Sequence, residues 1–560
     1  MQQRFLGQRQ KGALPPGTRP RQALGRASLL AISALLFLGT AAAVPARAAQ
    51  PPQAAAPGEI RLGLESLAAS ADPHLHNSLD DANLAAHLFE PLIRRDRSLQ
   101  PTAGLAVKWQ ATEERAWTFT LRPDVRFHDG TTLDAQDVVY TFCRILGLSG
   151  SGVRGALRGI VAVEAKDAAT LVLRTAEPDP LVPNSLTSVA IIAAPEGWSG
   201  RFEPAGCKAE SWPTTAQFDQ GQTALGSGPF RLKAFKPGSR VELVRFDGYW
   251  GPRPTWTSVL MVPLPEPGGR GRALISGTVD IVNAVSAESF PFFAGLPNLH
   301  LVSSPQARTL LLNLNQREDA RAFGGRNPFA DPRVRRAVMM AIDRAAISER
   351  LMLGTAAPAG QLIPEGMFGY NPEIAANPYD PVQAKALMRD AGFEAGFEVE
   401  LLAIDSNTKL ADVIARYLAA VGIRAKVMVR PTPDAMAQLS RLDFQMQLGG
   451  SVPLTGEFGY VAREAIATRD PARGMGTQNY GGYTNPELDQ LIRTALVTLD
   501  DSKREEMLRR VGRIATDEVV KVPLLHLPRT WAMRSGLVYE GRAEGLTLAQ
   551  DIRPGEVEGP

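Results

Sequence analysis

Catalytic motifs and clusters of reactive side chains are scarce in this 560-residue sequence. It contains two cysteines and six histidines. It lacks the Gly-x-Ser-x-Gly, His-Glu-x-x-His and Gly-x-x-x-x-Gly-Lys-Ser/Thr motifs of serine hydrolases, zinc proteases and P-loop nucleotide-binding proteins. No pair of carboxylates has a spacing that indicates acid–base catalysis. We therefore expect that the protein is not an enzyme, and we assign no catalytic residue and no cofactor.

A surplus of positive charge is also missing once the amino terminus is set aside. Residues 1–48 hold seven of the 61 lysines and arginines and none of the 58 acidic residues. The rest of the chain therefore carries 54 cations against 58 acids. A nucleic-acid-binding protein needs a basic surface that neutralises phosphates, so this balance excludes nucleic acid as a partner. Beyond the amino terminus, no apolar run reaches the ~18 residues that span a bilayer.

The amino terminus has the three parts of a secretory signal peptide. A cationic segment ends at Arg26, residues 27–44 are uncharged and apolar, and Ala46-Arg47-Ala48 forms a small-x-small cleavage triplet. We predict a signal peptide at 1–48 and a Pro- and Ala-rich linker at 49–56, and hence a periplasmic location. The alternative is an uncleaved anchor, because 18 apolar residues are borderline for spanning a membrane.

The two cysteines, Cys143 and Cys207, fit two interpretations. In an oxidising compartment two cysteines often pair, and Cys207 lies in a polar stretch where a free thiol would be reactive. Cys143 lies within an apolar helical pattern, so it also fits a small buried residue without a partner. We favour a disulfide, and a mass measurement with and without reduction distinguishes the two interpretations.

Strand and helix patterns alternate along the rest of the chain, which predicts an α/β protein. Residues 117–121 alternate apolar and polar as a half-buried strand does, and a helix follows with Asp134 as its N-cap. Residues 397–403, 410–421 and 423–430 predict a strand–helix–strand unit with a parallel strand pair. The chain is too long for one core, so we expect at least two lobes.

The second half uses one helix-start signal repeatedly. Asp331-Pro332, Asp380-Pro381 and Asn485-Pro486 each combine an N-cap acceptor with a proline in the first turn. Gly354 and Gly392 supply left-handed C-caps for the first two helices. This signal predicts helices over 332–353 and 381–391 and a third that starts at 486.

Two short patterns resemble functional motifs only weakly. His74-Leu75-His76, with His87 downstream, has imidazoles that can bind a metal, but a single His-x-His pair is a poor signal and we assign no metal site. Gly226-Ser227-Gly228-Pro229 is not a dinucleotide-binding loop, because Pro229 stands where a helix amide is needed. It predicts a turn before a strand at 230–235.

A longer series of blocks gives a specific resemblance. In chain order they are Ala-Asp-Pro-His at 71–74, Leu-Phe-Glu-Pro-Leu at 88–92, Trp-Thr-Phe-Thr-Leu-Arg-Pro-Asp-Val-Arg-Phe-His-Asp-Gly at 117–130, Gly-Ser-Gly-Pro-Phe at 226–230, Asn-Leu-Asn at 313–315, Asp-Pro-Arg-Val-Arg-Arg-Ala at 331–337 and Gly-Tyr-Thr-Asn-Pro-Glu-Leu-Asp at 482–489. With these blocks the chain resembles family 5 of the extracytoplasmic solute-binding proteins. This family serves peptide- and nickel-type ATP-binding-cassette importers.

The resemblance implies a two-lobed clamp of the periplasmic-binding-protein type, with mixed sheets flanked by helices. It implies lobe 1 at 57–304, with an extra subdomain at about 90–165, lobe 2 at 305–525, a return to lobe 1 at 526–552 and a tail at 553–560. The implied function is capture of a peptide or peptide-like solute by a monomer and its delivery to an inner-membrane permease. Alternatives are a receptor that docks on a sensor, or a binder of an opine, a glycoside or a metal chelate. A secreted enzyme is the third alternative, and it lacks a nucleophile–base pair.

The resemblance also supplies the candidate ligand-binding residues. These are Ser78, Asn83, Asn313, Asn315, Ser451, Glu457, Tyr480 and Tyr483. In peptide-binding relatives the segment after the strand at 444–448 carries a Trp and an Asp-Pro, whose Asp pairs with the ligand amine. Here that segment has neither, and its one acid is Glu457. Glu457 is therefore either a replacement amine anchor or a solvated surface carboxylate, and the identity of the solute stays open.

Overall fold

A computed structural model describes residues 58–75, 78–207, 212–318 and 321–555. The predicted signal peptide and linker at 1–56 lie outside the described residues. Every helix within the described ranges is too short or too polar to span a bilayer.

The strands follow in chain order. They are β1 (Glu59–Leu64), β2 (Glu90–Pro91), β3 (Ile93–Arg95), β4 (Pro101–Ala103), β5 (Ala106–Glu113), β6 (Ala116–Leu121), β7 (Ile160–Asp167), β8 (Thr170–Thr175), β9 (Ala190–Ile191), β10 (Phe230–Lys236), β11 (Arg240–Arg245), β12 (Ser258–Pro263), β13 (Ile281–Val282), β14 (Leu299–Leu314), β15 (Ala357–Pro358), β16 (Phe397–Ile404), β17 (Ile423–Arg430), β18 (Met446–Ser451), β19 (Val522–Arg534), β20 (Leu537–Val538) and β21 (Arg553–Pro554).

The α-helices are α1 (Leu79–Leu88), α2 (Ala135–Gly147), α3 (Val182–Ser185), α4 (Thr215–Asp219), α5 (Pro267–Ile275), α6 (Phe290–Ala294), α7 (Pro332–Ala341), α8 (Arg344–Arg350), α9 (Pro381–Asp390), α10 (Thr408–Ala419), α11 (Thr432–Ser440), α12 (Phe458–Val461), α13 (Pro486–Val497) and α14 (Asp501–Asp517).

One large mixed sheet runs through the described chain. Its strand order is β10-β11-β12-β1-β13-β19-β14-β18-β16-β17, with β15 also paired to β19. β1 is parallel to β12 and β13, and β16 is parallel to β17 and β18. The parallel β16–β17 pair with α10 between them is the strand–helix–strand unit that the sequence predicts. A separate four-stranded sheet has the order β5-β6-β8-β7 and extends to Thr175, past the expected limit of the extra subdomain.

The capping signals act as predicted at most helix starts. Asp134 accepts from Gln136, and the Asp137 side chain accepts from the Asp134 backbone, which completes a capping box at α2. Asp380 and Asn485 cap α9 and α13 through their side-chain oxygens. Each of these contacts satisfies backbone N–H groups that the first helical turn leaves without a partner.

The single helix predicted over 332–353 is wrong, because the structure has two helices there. α7 ends at Ala341, and Asp343 caps α8 by accepting from the Ala346 N–H at 2.9 Å. The Arg344 guanidinium donates to the carbonyls of Met339 and Ile342, where the first helix ends. Asp343 therefore acts as a cap inside an apolar helical pattern and separates α7 from α8.

The hydrophobic cores fall into two sets. Three clusters draw on residues between 60 and 299 and between 531 and 552. Three others draw on residues between 307 and 525, with Leu99 of the first half packed into one of them. β14 and β19 pass from one set to the other. Cys143 on α2 and Cys207 form a disulfide with their Cα atoms 5.2 Å apart, inside the first set.

Candidate functional site

The place where β14 and β19 pass between the two sets of cores is called the crossing, residues 303–309 and 526–530. Ser304 stands opposite Arg529 and Arg308 opposite Leu527, and the register shifts between Pro305 and Arg308. A bulge of this kind bends strands and re-aims side chains. Side chains from both halves of the chain meet here.

Polar contacts also join the two halves away from the crossing. Asn184 donates through Nδ2 to the Thr455 carbonyl at 2.8 Å, and Arg95 donates to the Leu454 carbonyl. These contacts hold the segment after β18 against the first half of the chain. That segment is the one in which the resemblance places ligand contacts.

Two further contacts involve side chains with large exposed fractions. Arg158 donates to the Gly474 carbonyl at 3.0 Å and lies 3.8 Å from a carboxylate oxygen of Glu464. The Lys409 ammonium lies 2.5 Å from Glu288. Water screens the exposed charges of Arg158, Lys409 and Glu288, so these contacts are suited to forming and breaking.

Glu457 is buried and is paired with a cation. Its residue surface is 2% exposed, and Arg504 Nη1 donates to both carboxylate oxygens at 2.7 and 2.8 Å. The Arg504 guanidinium also lies 4.2 Å from the centre of the Phe368 ring. Burial raises the pKa of Glu457 to about 7, although the charge of Arg504 opposes this shift. The surface-carboxylate interpretation is wrong, and a ligand amine would have to compete with Arg504.

Asn313 and Tyr480 come together, around a buried lysine that the sequence reasoning missed. Lys521 Nζ donates to Asn313 Oδ1 at 2.5 Å and to the Gln478 carbonyl at 3.1 Å, and it lies 5.9 Å from the centre of the Tyr480 ring. Asn313 Nδ2 donates to the side chain of Gln447. Burial lowers the pKa of Lys521 to about 7. The Asn313 amide is thus already engaged within the protein.

Asn315 and Tyr483 have structural partners. Asn315 donates through Nδ2 to the Phe444 carbonyl at 2.7 Å and is fully buried. The Tyr483 hydroxyl donates to a carboxylate oxygen of Glu518 at 2.5 Å. Both side chains hold loops of the second half in place.

Ser78 and Asn83 belong to the packing of α1. Ser78 is the N-cap, which accepts from the Asp81 N–H and donates to the Asp81 carboxylate. Asn83 is buried and its Oδ1 accepts from the Thr547 N–H at 2.6 Å. The Ser78 contacts stabilise the first turn of α1, and the Asn83 contact joins α1 to the carboxyl-terminal segment.

Ser451 is the candidate that lies beside the crossing. It is the last residue of β18, it is buried, and it pairs in register with Thr309. Thr309 in turn contacts His526 Nδ1 at 3.0 Å and donates to the Leu362 carbonyl. The strand ends later than the 444–448 prediction, so the two glycines before Ser451 are paired strand residues.

Two arginines at the crossing were missed by the sequence reasoning. Arg529 Nη2 lies 3.9 Å from a carboxylate oxygen of Glu65, with the Arg529 side chain 15% and the Glu65 side chain 52% exposed. Burial lowers the pKa of Arg308 and of Arg529, while the charge of Glu65 opposes both shifts. Arg308 and Arg529 are far apart in the chain, so only the pairing of β14 with β19 reveals the cluster.

The two described histidines of the His74-Leu75-His76 and His87 pattern are engaged by protein groups. Both ring nitrogens of His74 and both of His87 lie within hydrogen-bond distance of protein groups, and His76 lies outside the described residues. In the part of the chain that the structure describes, no three or more His, Cys, Asp or Glu side chains are grouped for a metal ion.

Comparison with known proteins gives consistent results. The family model for "Bacterial extracellular solute-binding proteins, family 5 Middle" matches residues 100–459. The dipeptide-binding protein of Escherichia coli strain K12 is 25% identical over 450 residues, covering 76% of this chain and 80% of that protein. The glutathione-binding protein GsiB of Escherichia coli O1:K1 / APEC is 24% identical over 504 residues, covering 88% and 93%.

Solved structures share the fold. The periplasmic binding protein DppA from Helicobacter pylori, in complex with the peptide STSA, has a TM-score of 0.71 at 20% identity, with 89% of this chain and 98% of that chain covered. NikA from Brucella suis, in complex with Fe(III)-EDTA, has a TM-score of 0.74 at 20% identity, with 89% and 100% covered. The two-lobed fold expected from the sequence is thus confirmed.

Proposed function

The chain belongs to family 5 of the bacterial extracellular solute-binding proteins, and from this membership we propose that it captures a peptide or peptide-like solute between its lobes. It delivers that solute to the inner-membrane permease of an ATP-binding-cassette importer. The observation that carries the proposal is the family match over residues 100–459, on a chain that the dipeptide- and glutathione-binding relatives match over most of their length.

The lobe assignment is part of the proposal. Lobe 1 comprises residues 57–304 and 526–552, and lobe 2 comprises 305–525. The division of the hydrophobic clusters supports these limits, because each set of cores draws almost all of its residues from one side of them. β14 and β19 are then the hinge strands, and the crossing is the floor of the cleft.

The mechanism needs no chemical step, so the proposed activity is binding and release. A solute that contacts both lobes stabilises the closed arrangement, because it has a higher affinity for the closed state than for the open one. The contacts of Asn184 with Thr455 and of Arg158 with Gly474 add to closure once the lobes meet. Their loss on opening releases the solute to the permease.

The proposal places the mature protein in the periplasm as a monomer. The predicted signal peptide at 1–48 supports this location, together with the word "extracellular" in the family description. The disulfide between Cys143 and Cys207 also fits an oxidising compartment.

Native mass spectrometry tests the proposed function. The mature protein is freed of bound solute by mild denaturation and refolding, and it is then mixed separately with a casein hydrolysate and with glutathione. We expect a complex whose added mass matches a peptide and disappears when the protein is unfolded. Recovery of free protein alone from both mixtures contradicts a peptide or peptide-like solute.

A further inference from the structure

The buried and half-buried arginines of this protein differ in how completely their guanidinium groups are hydrogen-bonded. Arg270 donates to the carbonyls of Leu264, Pro265 and Ala284. Arg308 and Arg529 are by contrast half-buried, and among the described groups no acceptor lies within hydrogen-bond distance of either guanidinium. The Arg529 Nε atom is fully buried. Buried charged groups are normally paired and hydrogen-bonded, so these two cations have unused capacity to bind an anion.

The two guanidinium groups share one face of the hinge strands. Arg308 stands opposite Leu527 on β19, and Arg529 is two residues further along the same strand. Side chains two residues apart on a strand point to one face, and diagonal neighbours across a strand pair are within reach of long side chains. Burial lowers the pKa of Arg529, the charges of Glu65 and Asp80 oppose this shift, and the charge of Arg308 adds to it, as expected of two cations on one face.

Gly450 leaves room for this arrangement on the neighbouring strand. A Cβ atom at position 450 would lie 3.3 Å from Arg308 Nε, so the guanidinium packs against bare backbone. Gly450 is in β18 opposite Leu310, and Ser451 follows it. Arg308 therefore reaches from the hinge strand toward the segment in which ligand contacts are expected.

We propose that Arg308 and Arg529 form an oxyanion subsite that binds a carboxylate of the solute. The planar guanidinium matches a carboxylate with two parallel hydrogen bonds, and two of them supply enough donors for both oxygens. The inference rests on the proposed function and deepens it. It requires that the transported solute carry a carboxylate where it contacts the two arginines, and hence that the solute be an anion or a zwitterion.

The charges around the subsite favour a group with a single negative charge. Glu65 and Asp80 are the acids whose charges act on Arg529, and Arg308 and Arg270 are the other cations that act on it. Three cations against two acids leave one positive charge unbalanced. One carboxylate balances this charge, whether it is the carboxyl terminus of a peptide or a side-chain carboxylate.

The test uses the peptide that native mass spectrometry recovers from casein hydrolysate. Calorimetry compares its affinity for the wild type, Arg308→Gln, Arg529→Gln and the control Arg424→Gln, whose side chain is 56% exposed on β17. We expect each of the first two variants to bind ~30-fold or more weakly and the control to bind as the wild type does. Thermal unfolding of the free variants checks their folding, and we expect no loss of stability, since neither cation has a hydrogen-bonded partner to abandon.

Chemical variants of the peptide identify the source of the carboxylate. If the carboxyl-terminal amide binds as weakly to the wild type as the free peptide binds to Arg308→Gln, the terminus is the group. If only the replacement of Asp or Glu by Asn or Gln in the peptide weakens binding, the side chain is the group. Competition by inorganic phosphate with the wild type, but not with Arg308→Gln, independently supports an oxyanion site.

Two results overturn the proposal in distinguishable ways. Equal affinities of the wild type, Arg308→Gln and Arg529→Gln for the recovered peptide refute the subsite and leave the proposed function intact. Failure of the folded wild type to bind any component of the hydrolysate or glutathione refutes the proposed function and the subsite together.

Discussion

The fully buried Arg144 in lobe 1 and the half-buried arginine pair at the crossing show opposite uses of a cation. Arg144 donates to both oxygens of Asp72 at 2.8 and 2.6 Å, and the side chains of both residues are fully buried. It also donates to His74 Nδ1 and to the Pro213 carbonyl. Arg308 and Arg529 have no comparable set of acceptors among the described residues. A complete network fixes the fold, whereas an incomplete one keeps donors available for a ligand.

The unpaired donors lower the stability of the crossing. An unpaired buried donor loses its bonds to water without replacement, so the crossing is less stable than a saturated arrangement would be. Functional sites commonly retain such groups because activity needs them.

Breaking the Asp72–Arg144 pair should have the largest effect. Arg144→Gln leaves a buried carboxylate without its cation, so we expect the free energy of unfolding to fall by about 3–5 kcal/mol. Chemical denaturation measures this, with Arg253→Gln, whose side chain is 68% exposed, as the control. A change of less than about 1 kcal/mol would show that the network does not support lobe 1.

The same pair predicts a dependence on pH. Burial acts to raise the pKa of Asp72, but hydrogen bonds and charge from Arg144 hold it below its usual value. A carboxyl group with a lowered pKa in the folded state stabilises above its unfolded pKa, and this contribution is lost on acidification. The wild type should therefore lose stability below about pH 4 more steeply than an Asp72→Asn variant.

The disulfide next to Arg144 should have an effect of similar size. Cys143 and Cys207 are 64 residues apart, and closing a loop of this length stabilises a protein by about 4 kcal/mol in the chain-entropy model. We expect the double variant Cys143→Ala, Cys207→Ala to unfold at correspondingly lower denaturant concentration. Because the loop lies wholly in the proposed lobe 1, solute affinity should not change while the protein is folded, and a lost affinity would argue against the lobe assignment.

Lys521 lies between Arg144 and the arginine pair at the crossing, because it is a buried amine that has hydrogen-bond acceptors but no acidic partner among the described residues. Burial lowers its pKa to about 7, so between about pH 7 and 10 the unfolded chain binds more protons than the folded chain. Stability should rise with pH over this window, by on the order of a few kcal/mol. Denaturation of the wild type and Lys521→Met as a function of pH measures the rise, and identical pH profiles would refute this role of the ammonium.

The exposed contacts between the lobes should give the smallest effect on stability. The Arg158 side chain is 48% exposed where it meets Glu464, so Arg158→Gln should change the free energy of unfolding by less than about 1 kcal/mol. Solute dissociation should nevertheless become faster, because the closed arrangement loses a contact. Stopped-flow measurement of the dissociation rate checks this, with the exposed Arg424→Gln as the control. Release of the solute at the same rate by both variants would contradict this role of Arg158.

Local signals in the sequence predicted much of the fold. The N-caps Asp134, Asp380 and Asn485 and the parallel β16–β17 pair are encoded within a few residues of where they act. The helix break before Asp343 was missed, because apolar periodicity continues through the break.

The candidate site was predicted less well, because its partners are distant in the sequence. The Glu457 carboxylate is paired with Arg504, 47 residues away, and the Asn313 side chain accepts a hydrogen bond from Lys521, 208 residues away. Whether a polar residue is free for a ligand depends on such partners, which resemblance to a family does not reveal. Arg308 and Arg529 escaped notice for the same reason.

Small-angle X-ray scattering tests the central claim, a two-lobed clamp that closes on its solute, most directly. The radius of gyration of the mature protein is measured without solute and with a saturating amount of the peptide recovered from casein hydrolysate. We predict a smaller radius with the peptide, because the contacts between the lobes then form in nearly every molecule. An unchanged radius with the peptide demonstrably bound would contradict the clamp.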